Sequence, residues 1–132
     1  MKVLNIILKI VLILMLLMPA IGSLGVFPPP TADLYNTPEA FEFIEALMKV
    51  KYVNWLMSIV FAISILLILT KRMALAAILI APVVLNIISF HLFLDGGPFT
   101  LNAVFPIVLS LLNIYFLWQN KEEYKNLFRK SR

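Results

Sequence analysis

The chain has 132 residues, of which 62% are hydrophobic and 14% charged, and it carries a net charge of +4. Soluble domains contain about 45–50% apolar and about 25% charged residues, so this composition is typical of a membrane protein. The absence of cysteine excludes a disulfide, a thiolate nucleophile and a cysteine-ligated metal, and one histidine is too few for a histidine-rich metal site. The basic residues lie at the ends of apolar runs, which indicates membrane topology rather than nucleic-acid binding.

Four apolar runs predict membrane-spanning helices, at residues 3–22, 52–70, 73–94 and 100–118. Each has about the twenty residues that a helix needs to cross a hydrocarbon core roughly 30 Å thick. Helices are required because the core holds no water to satisfy backbone groups. The predicted fold class is therefore all-α, a transmembrane four-helix bundle within one domain covering residues 1–132.

The first run also has features of a secretory signal peptide, because the small residues Ala20, Gly22 and Ser23 follow its apolar stretch. The length of the run, Lys9 inside it and Pro19 near its end favour an uncleaved helix. Both interpretations stay open on the sequence alone.

Basic residues predict the orientation of the spans. Lys71 and Arg72 form the short break between the second and third runs, Lys2 precedes the first run, and a basic tail follows residue 118. The loop at residues 23–51 carries four carboxylates against two lysines. Because cytoplasmic loops are enriched in Lys and Arg, we expect both termini and the Lys71–Arg72 turn in the cytoplasm.

Two segments outside the spans are predicted to be helical. Residues 38–50 form an amphipathic helix on the outer surface, with Thr37 as its N-cap and Pro38 at its first position. The C-terminal sequence KEEYKNLFRKSR predicts a basic juxtamembrane helix that faces anionic lipid.

Polar residues recur along one face of each run, although polar groups are costly in hydrocarbon. One interpretation is that these faces meet and hold the bundle together by interhelical hydrogen bonds. The other is a ligand-binding cavity between the helices. The residues expected to make the bundle contacts are Asn54, Ser58, Ser89 and Asn113. None of these faces contains a carboxylate, which argues against a proton relay or a cation-coupled transporter.

His91 and Asp95 form a titratable pair at the i, i+4 spacing that places two side chains on one helix face. Gly96 and Gly97 then end the helix. The pair either hydrogen-bonds a quinone carbonyl or an anionic head group, or it closes the helix C-terminus as an interfacial histidine. By helical phase, His91 points away from Asn86. The candidate ligand-binding residues are His91, Asp95, Asn86 and Asn102.

The segment TKRMALAAILIAPVVLNIISFHLFLDGG, residues 70–97, resembles the DoxX-like family of small four-helix integral membrane proteins. The order elsewhere agrees, with a first span ending in AIGSLGVFPPP, a surface helix, a short basic turn and a basic tail. The resemblance implies a bacterial inner-membrane protein that is an accessory to a redox or quinone-linked assembly. Many relatives have a lysine after the first span and an acid in the second, where this chain has Ser23 and Ser58.

Three functional hypotheses follow. The first is a non-catalytic accessory or anchor subunit of a membrane redox assembly, and the second is a binder or carrier of a quinone or lipid. The third is an enzyme acting on lipid or quinone, for which only His91 and its neighbouring acid offer acid–base chemistry. The expected partners are the lipid bilayer and a membrane redox protein. No nucleic acid, metal or cofactor is expected, apart from the bound quinone of the second hypothesis.

Overall fold

A computed structural model of the chain describes residues 1–131, and helices are the regular secondary structure in that range. Arg132, the last residue of the predicted basic tail, lies outside the described residues. Three 3-10 turns occupy Ala32–Leu34, Leu101–Ala103 and Lys125–Phe128. The α-helices are α1 (Lys2–Gly22), α2 (Pro38–Val50), α3 (Tyr52–Leu69), α4 (Met73–Phe93), α5 (Val104–Gln119) and α6 (Lys121–Tyr124).

Four of these helical segments are long and apolar enough to cross a membrane, which confirms the predicted all-α four-helix bundle. They are α1, α3, α4 and the continuous segment Leu101–Gln119 that contains α5. Each end of these segments lies within one residue of the corresponding end of its predicted apolar run. Pro106 is tolerated in α5 because it occupies the first turn, where a backbone N–H has no helical acceptor.

The four spans pack in chain order. α3 lies between α1 and α4, α4 packs against α5, and α1 meets α5 along a narrower contact. The core between them is apolar, and its largest fully buried side chains are Leu12, Leu16, Phe61, Ile80, Leu109 and Phe116. The loops at residues 23–37 and 94–103 meet at one end of the bundle, here called the loop end. The termini and the turn at residues 70–72 meet at the other, the terminal end.

The turn between α3 and α4 is closed by two backbone hydrogen bonds. The N–H of Lys71 donates to the carbonyl of Ile68 at 3.1 Å, and the N–H of Arg72 donates to that of Leu67 at 2.7 Å. This is the Schellman arrangement, which ordinarily has glycine in the left-handed position. Lys71 holds that position with a φ of 63°, at a strain of roughly 1–2 kcal/mol.

The terminal end is held together by side-chain hydrogen bonds. The Asn5 side-chain oxygen accepts from the Tyr115 hydroxyl and from the Gln119 amide, both at 3.0 Å. The Tyr124 hydroxyl donates to the carbonyl of Ala74 at 2.7 Å. The first span is therefore tied to the last span at this end, and the tail helix is tied to α4.

Two of the predicted polar bundle contacts join neighbouring spans. The Ser58 hydroxyl donates to the carbonyl of Ala20 at 2.9 Å, which joins α3 to α1. The Asn113 amide donates to the carbonyl of Ala77 at 2.9 Å, which joins α5 to α4. Both polar side chains are buried, so each satisfies its hydrogen bonding inside the bundle rather than toward lipid.

The other two predicted contacts differ from the expectation. The Ser89 hydroxyl donates to the carbonyl of Leu85, within α4 itself. Asn54 is half-buried at the start of α3, and its side chain makes no hydrogen bond within residues 1–131. Serine in a helix can bond the carbonyl one turn back, which removes the need for a partner on another helix.

Replacing Ser58 should test the energetic role of the interhelical bonds. We expect Ser58→Ala to lower the free energy of unfolding by about 0.6–1 kcal/mol, the usual range for such bonds in membranes. Ser89→Ala is the matched control, because its hydroxyl bonds only its own helix, and its effect should stay below about 0.5 kcal/mol. Reversible unfolding in mixed micelles measures both, and equal losses for the two variants would contradict the assignment.

Candidate functional site

The chain turns sharply at two glycines shortly after the end of α4. Gly96 and Gly97 have φ values of 91° and 93°, in the left-handed region that favours glycine. A Cβ on Gly96 would meet the Asn36 Cβ at 3.1 Å and the Thr100 Cγ2 at 3.2 Å. The chain therefore needs glycine at residue 96 both for its backbone conformation and for the close approach of two other loop segments.

This bend places the Asp95 carboxylate in the interior of the loop end, where the side chain is fully buried. The backbone N–H of Asn36 donates to Asp95 Oδ1 at 2.7 Å, and the Asn102 amide donates to Oδ2 at 3.1 Å. His91 Nδ1 lies 3.2 Å from Oδ2 without forming a well-directed hydrogen bond. A buried carboxylate is strongly unfavourable unless paired and hydrogen-bonded, and these three groups meet that need.

Three further hydrogen bonds join the two loops around Asp95. The Asn36 amide donates to the Asp95 carbonyl at 3.0 Å, and the Asn102 amide donates to the Leu34 carbonyl at 2.8 Å. The Thr37 hydroxyl donates to the carbonyl of Leu94. We call Asn36, Thr37, His91, Asp95 and Asn102 the Asp95 cluster.

Thr37 also connects this cluster to α2. Its hydroxyl oxygen accepts from the N–H of Ala40 at 3.1 Å, so Thr37 is the N-cap of α2 as the sequence predicted. The same hydroxyl bonds the end of α4, and therefore one side chain fixes where α2 begins relative to the fourth helix.

Aromatic rings cover the cluster on one side. The Tyr35 ring packs edge-on against Phe90, with centroids 6.4 Å apart, and the Phe90 ring packs edge-on against His91 at 5.0 Å. Burial and the negative charge of Asp95 both raise the pKa of the Tyr35 phenol. The phenol therefore remains protonated at physiological pH, so it adds no second negative charge beside Asp95.

The structure brings three of the four predicted ligand-binding residues together and separates the fourth. His91, Asp95 and Asn102 meet in the cluster, whereas Asn86 lies exposed on another face of α4, as its helical phase indicates. Asn36 was not predicted, and Thr37 was predicted only as a helix cap. No sequence pattern relates residues 36 and 37 to residue 95, because their contact depends on how two loops meet.

Asn86 belongs to a second feature, an exposed stripe on α4 that we call the α4 face. The side chains that form it lie at successive steps of three, one, three and four residues: Pro82, Leu85, Asn86, Ser89 and Phe93. The α4 face lines a cleft of about 450 Å³ whose other wall includes Phe43 of α2. The Asn86 side chain makes no hydrogen bond to any of residues 1–131, although it lies seven residues inside α4.

Comparison with known proteins finds no family model, no curated protein and no solved structure similar to this chain. The fold and composition define it as a four-span integral membrane protein whose two loops are joined by a buried carboxylate. The resemblance to the DoxX-like family rests on the sequence pattern and stays a prediction.

The Asp95 cluster should be essential for stability. Asp95→Ala leaves the Asn36 N–H without an acceptor and removes one of the two acceptors of the Asn102 amide, and we expect it to lower the free energy of unfolding by about 3 kcal/mol. Asp95→Asn keeps one acceptor oxygen and should recover part of this loss. Hydrogen exchange at the Asn36 and Ala40 amides, together with unfolding in mixed micelles, measures the effect.

Asp33→Ala is the matched control, because Asp33 is an exposed carboxylate in the other loop of the loop end, residues 23–37. Its effect should stay below about 0.5 kcal/mol. If Asp95→Ala unfolded at the same free energy as Asp33→Ala, the cluster would not hold the two loops together.

Proposed function

We propose that this protein is a non-catalytic subunit of a membrane assembly and that it contacts its partner through the α4 face. The observation that carries the proposal is the exposed Asn86 amide, which has no hydrogen bond within residues 1–131. Seven residues of helix place it about 10 Å from the end of α4, well inside a hydrocarbon core roughly 30 Å thick. An unpaired amide at that depth is unfavourable, so a polar partner there would stabilise the protein.

Two polar groups of the Asp95 cluster are already engaged in joining the loops. Asp95 is fully buried and receives two hydrogen bonds, and Asn102 bonds both Asp95 and the Leu34 carbonyl. A substrate or quinone at the Asp95 carboxylate would have to displace hydrogen bonds that join the two loops. This supports a structural role for Asp95 and weakens the proposals of an enzyme or of a carrier that uses its carboxylate.

The partner that fits the α4 face is a transmembrane helix with a polar side chain at the depth of Asn86. Phe43, Phe90 and Phe93 line the same cleft and offer apolar surface beside the amide. Because one interhelical hydrogen bond in a membrane contributes only about 1 kcal/mol, this apolar packing must supply much of the affinity. The DoxX-like resemblance supports a redox or quinone-linked assembly as the source of that helix.

Purification of the tagged protein from its native membrane in mild detergent tests the proposal. We expect a second membrane protein at near-stoichiometric yield, and Asn86→Leu should weaken its retention about fivefold. Ile114→Leu is the control, because Ile114 is exposed on α5 and does not line the cleft at the α4 face. Purification of the protein alone, whether as a monomer or as a homo-oligomer, would contradict the role of an accessory subunit.

We also propose that the loop end lies outside the cytoplasm and that both termini lie in the cytoplasm of a bacterial inner membrane. Lys2, Lys71 and Arg72 lie at the terminal end, and the tail adds further basic residues there. The loop end instead carries the carboxylates of α2. This charge difference supports the orientation through the positive-inside rule.

Single cysteines test the orientation directly, because the chain has none of its own. Ala32→Cys places a thiol on an exposed turn of the loop end, and Ser131→Cys places one in the exposed tail. A membrane-impermeant maleimide should label Ala32→Cys in intact cells and should label Ser131→Cys only after permeabilisation. The reverse pattern would overturn the proposed topology.

A further inference from the structure

A cleft of about 570 Å³ opens at the loop end, and none of its lining residues belongs to the α4 face. The C-terminal turn of α1 forms one wall and the proline-rich segment that follows it forms another, with Phe27 packed on Gly22. α2 contributes Ile44 and Met48, and α3 contributes its first turn. We call this the Lys51 cleft, because Lys51 lies at its mouth, between α2 and α3.

Three side chains of the Lys51 cleft offer donors that are not engaged within residues 1–131, whereas the Ser23 hydroxyl in its lining donates to the Pro19 carbonyl at 2.9 Å. Lys51 is the single charged residue that lines it, and no carboxylate lies within 4.0 Å of the Lys51 ammonium among residues 1–131. Asn54 and Trp55 also line the cleft, and neither side chain makes a hydrogen bond within the described residues. A cationic group beside an amide and an indole N–H can bind an oxyanion through charge-assisted hydrogen bonds.

An apolar groove of similar volume, about 570 Å³, continues from the same lysine along α3. Its walls are Lys51, Tyr52, Trp55, Leu56 and Ile59, at successive steps of one, three, one and three residues along the helix surface. The last four of these side chains are at least half exposed. Since α3 is a membrane span, the groove faces the acyl chains of the surrounding lipid.

We propose that the Lys51 cleft and this groove together form a binding site for an anionic phospholipid. The phosphate binds Lys51, Asn54 and Trp55, while one acyl chain lies along the groove past Leu56 and Ile59. Charge complementarity identifies the head group as anionic, because the lining offers a positive charge and no negative one. Tyr52 and Trp55 are the residue types enriched at the depth of lipid head groups.

The two carboxylates on α2 nearest to this region do not oppose the assignment. Glu42 and Glu45 are exposed and do not line the cleft, which α2 borders through Ile44 and Met48. The proposal is independent of the α4 face, because the two surfaces share no residue.

Fluorescence of Trp55 provides the test. The chain has two tryptophans, so Trp118→Phe leaves Trp55 as the sole indole. This full-length variant is reconstituted into phosphatidylcholine vesicles that contain a minor fraction of dibrominated phosphatidylglycerol or of dibrominated phosphatidylcholine. Bromine atoms on a bound chain quench the nearby indole, and we expect the apparent affinity for the anionic lipid to exceed that for the zwitterionic lipid about fivefold.

Two lysine substitutions separate a local site from general charge attraction. Lys51→Gln should abolish the preference for phosphatidylglycerol, whereas Lys49→Gln, which removes an equal charge two residues away and outside the cleft, should retain it. Equal quenching by the two lipids, or equal loss of preference in both variants, would overturn the proposal. Asn54→Leu leaves the backbone at Lys51 unchanged, so it provides a second test if Lys51→Gln folds poorly. We expect Asn54→Leu to reduce the preference for phosphatidylglycerol in part.

Two further measurements distinguish a phospholipid from a free anion and separate the Lys51 cleft from the α4 face. Excess inorganic phosphate should leave the quenching unchanged, because a free anion lacks the chain that binds the groove. Displacement of the brominated lipid by phosphate would instead show a simple anion site and overturn the assignment to a phospholipid. Asn86→Leu should leave the lipid preference intact, so loss of the partner protein and loss of the lipid are distinguishable outcomes.

Discussion

Polar groups that are removed from water must find partners, and this constraint determines how the loop end of the protein is built. The Asp95 carboxylate is fully buried, and it is tolerated because groups from both loops and from α4 surround it. The same requirement holds within the spans, where Ser58 and Asn113 bond carbonyls of neighbouring helices. Asp95, Ser58 and Asn113 therefore also specify which segments of the chain lie side by side, whereas the buried Ser64 hydroxyl bonds Val60 within α3.

Asn86 stands out against this pattern, because it is an amide at membrane depth with no partner within residues 1–131. The other polar side chains of α4 lie closer to polar groups of the chain, because the Ser89 hydroxyl donates to the Leu85 carbonyl and His91 Nδ1 lies 3.2 Å from the Asp95 carboxylate. A polar side chain that lies at membrane depth without a hydrogen-bond partner is the best indication of where an additional molecule binds. For that reason the α4 face, rather than the His91–Asp95 pair, carries the functional proposal.

Much of the fold could be predicted from the sequence, because the spans and the α2 cap depend on local patterns. Twenty apolar residues define a span, and Thr37 followed by Pro38 defines a helix start. The i, i+4 spacing likewise placed His91 beside Asp95. Helical phase shows which residues share a face but not whether that face meets another helix or lipid, so the exposure of Asn86 could not be predicted. The contact of Asn36 with Asp95 joins residues 59 positions apart and depends on the assembled bundle.

The loop end also links the Asp95 cluster to the Lys51 cleft through α2. Thr37 fixes the start of α2 on the end of α4, while a single residue, Lys51, joins its end to α3 with a φ of 61°. With both ends of α2 held, Ile44 and Met48 are positioned as one wall of the cleft. Loss of the Asp95 cluster would free the start of α2 from the end of α4, while Lys51 would still join the end of α2 to α3. The cleft would then lose the fixed position of that wall while keeping its positive charge, so the Asp95 cluster contributes to lipid binding by positioning α2 rather than by contacting the lipid.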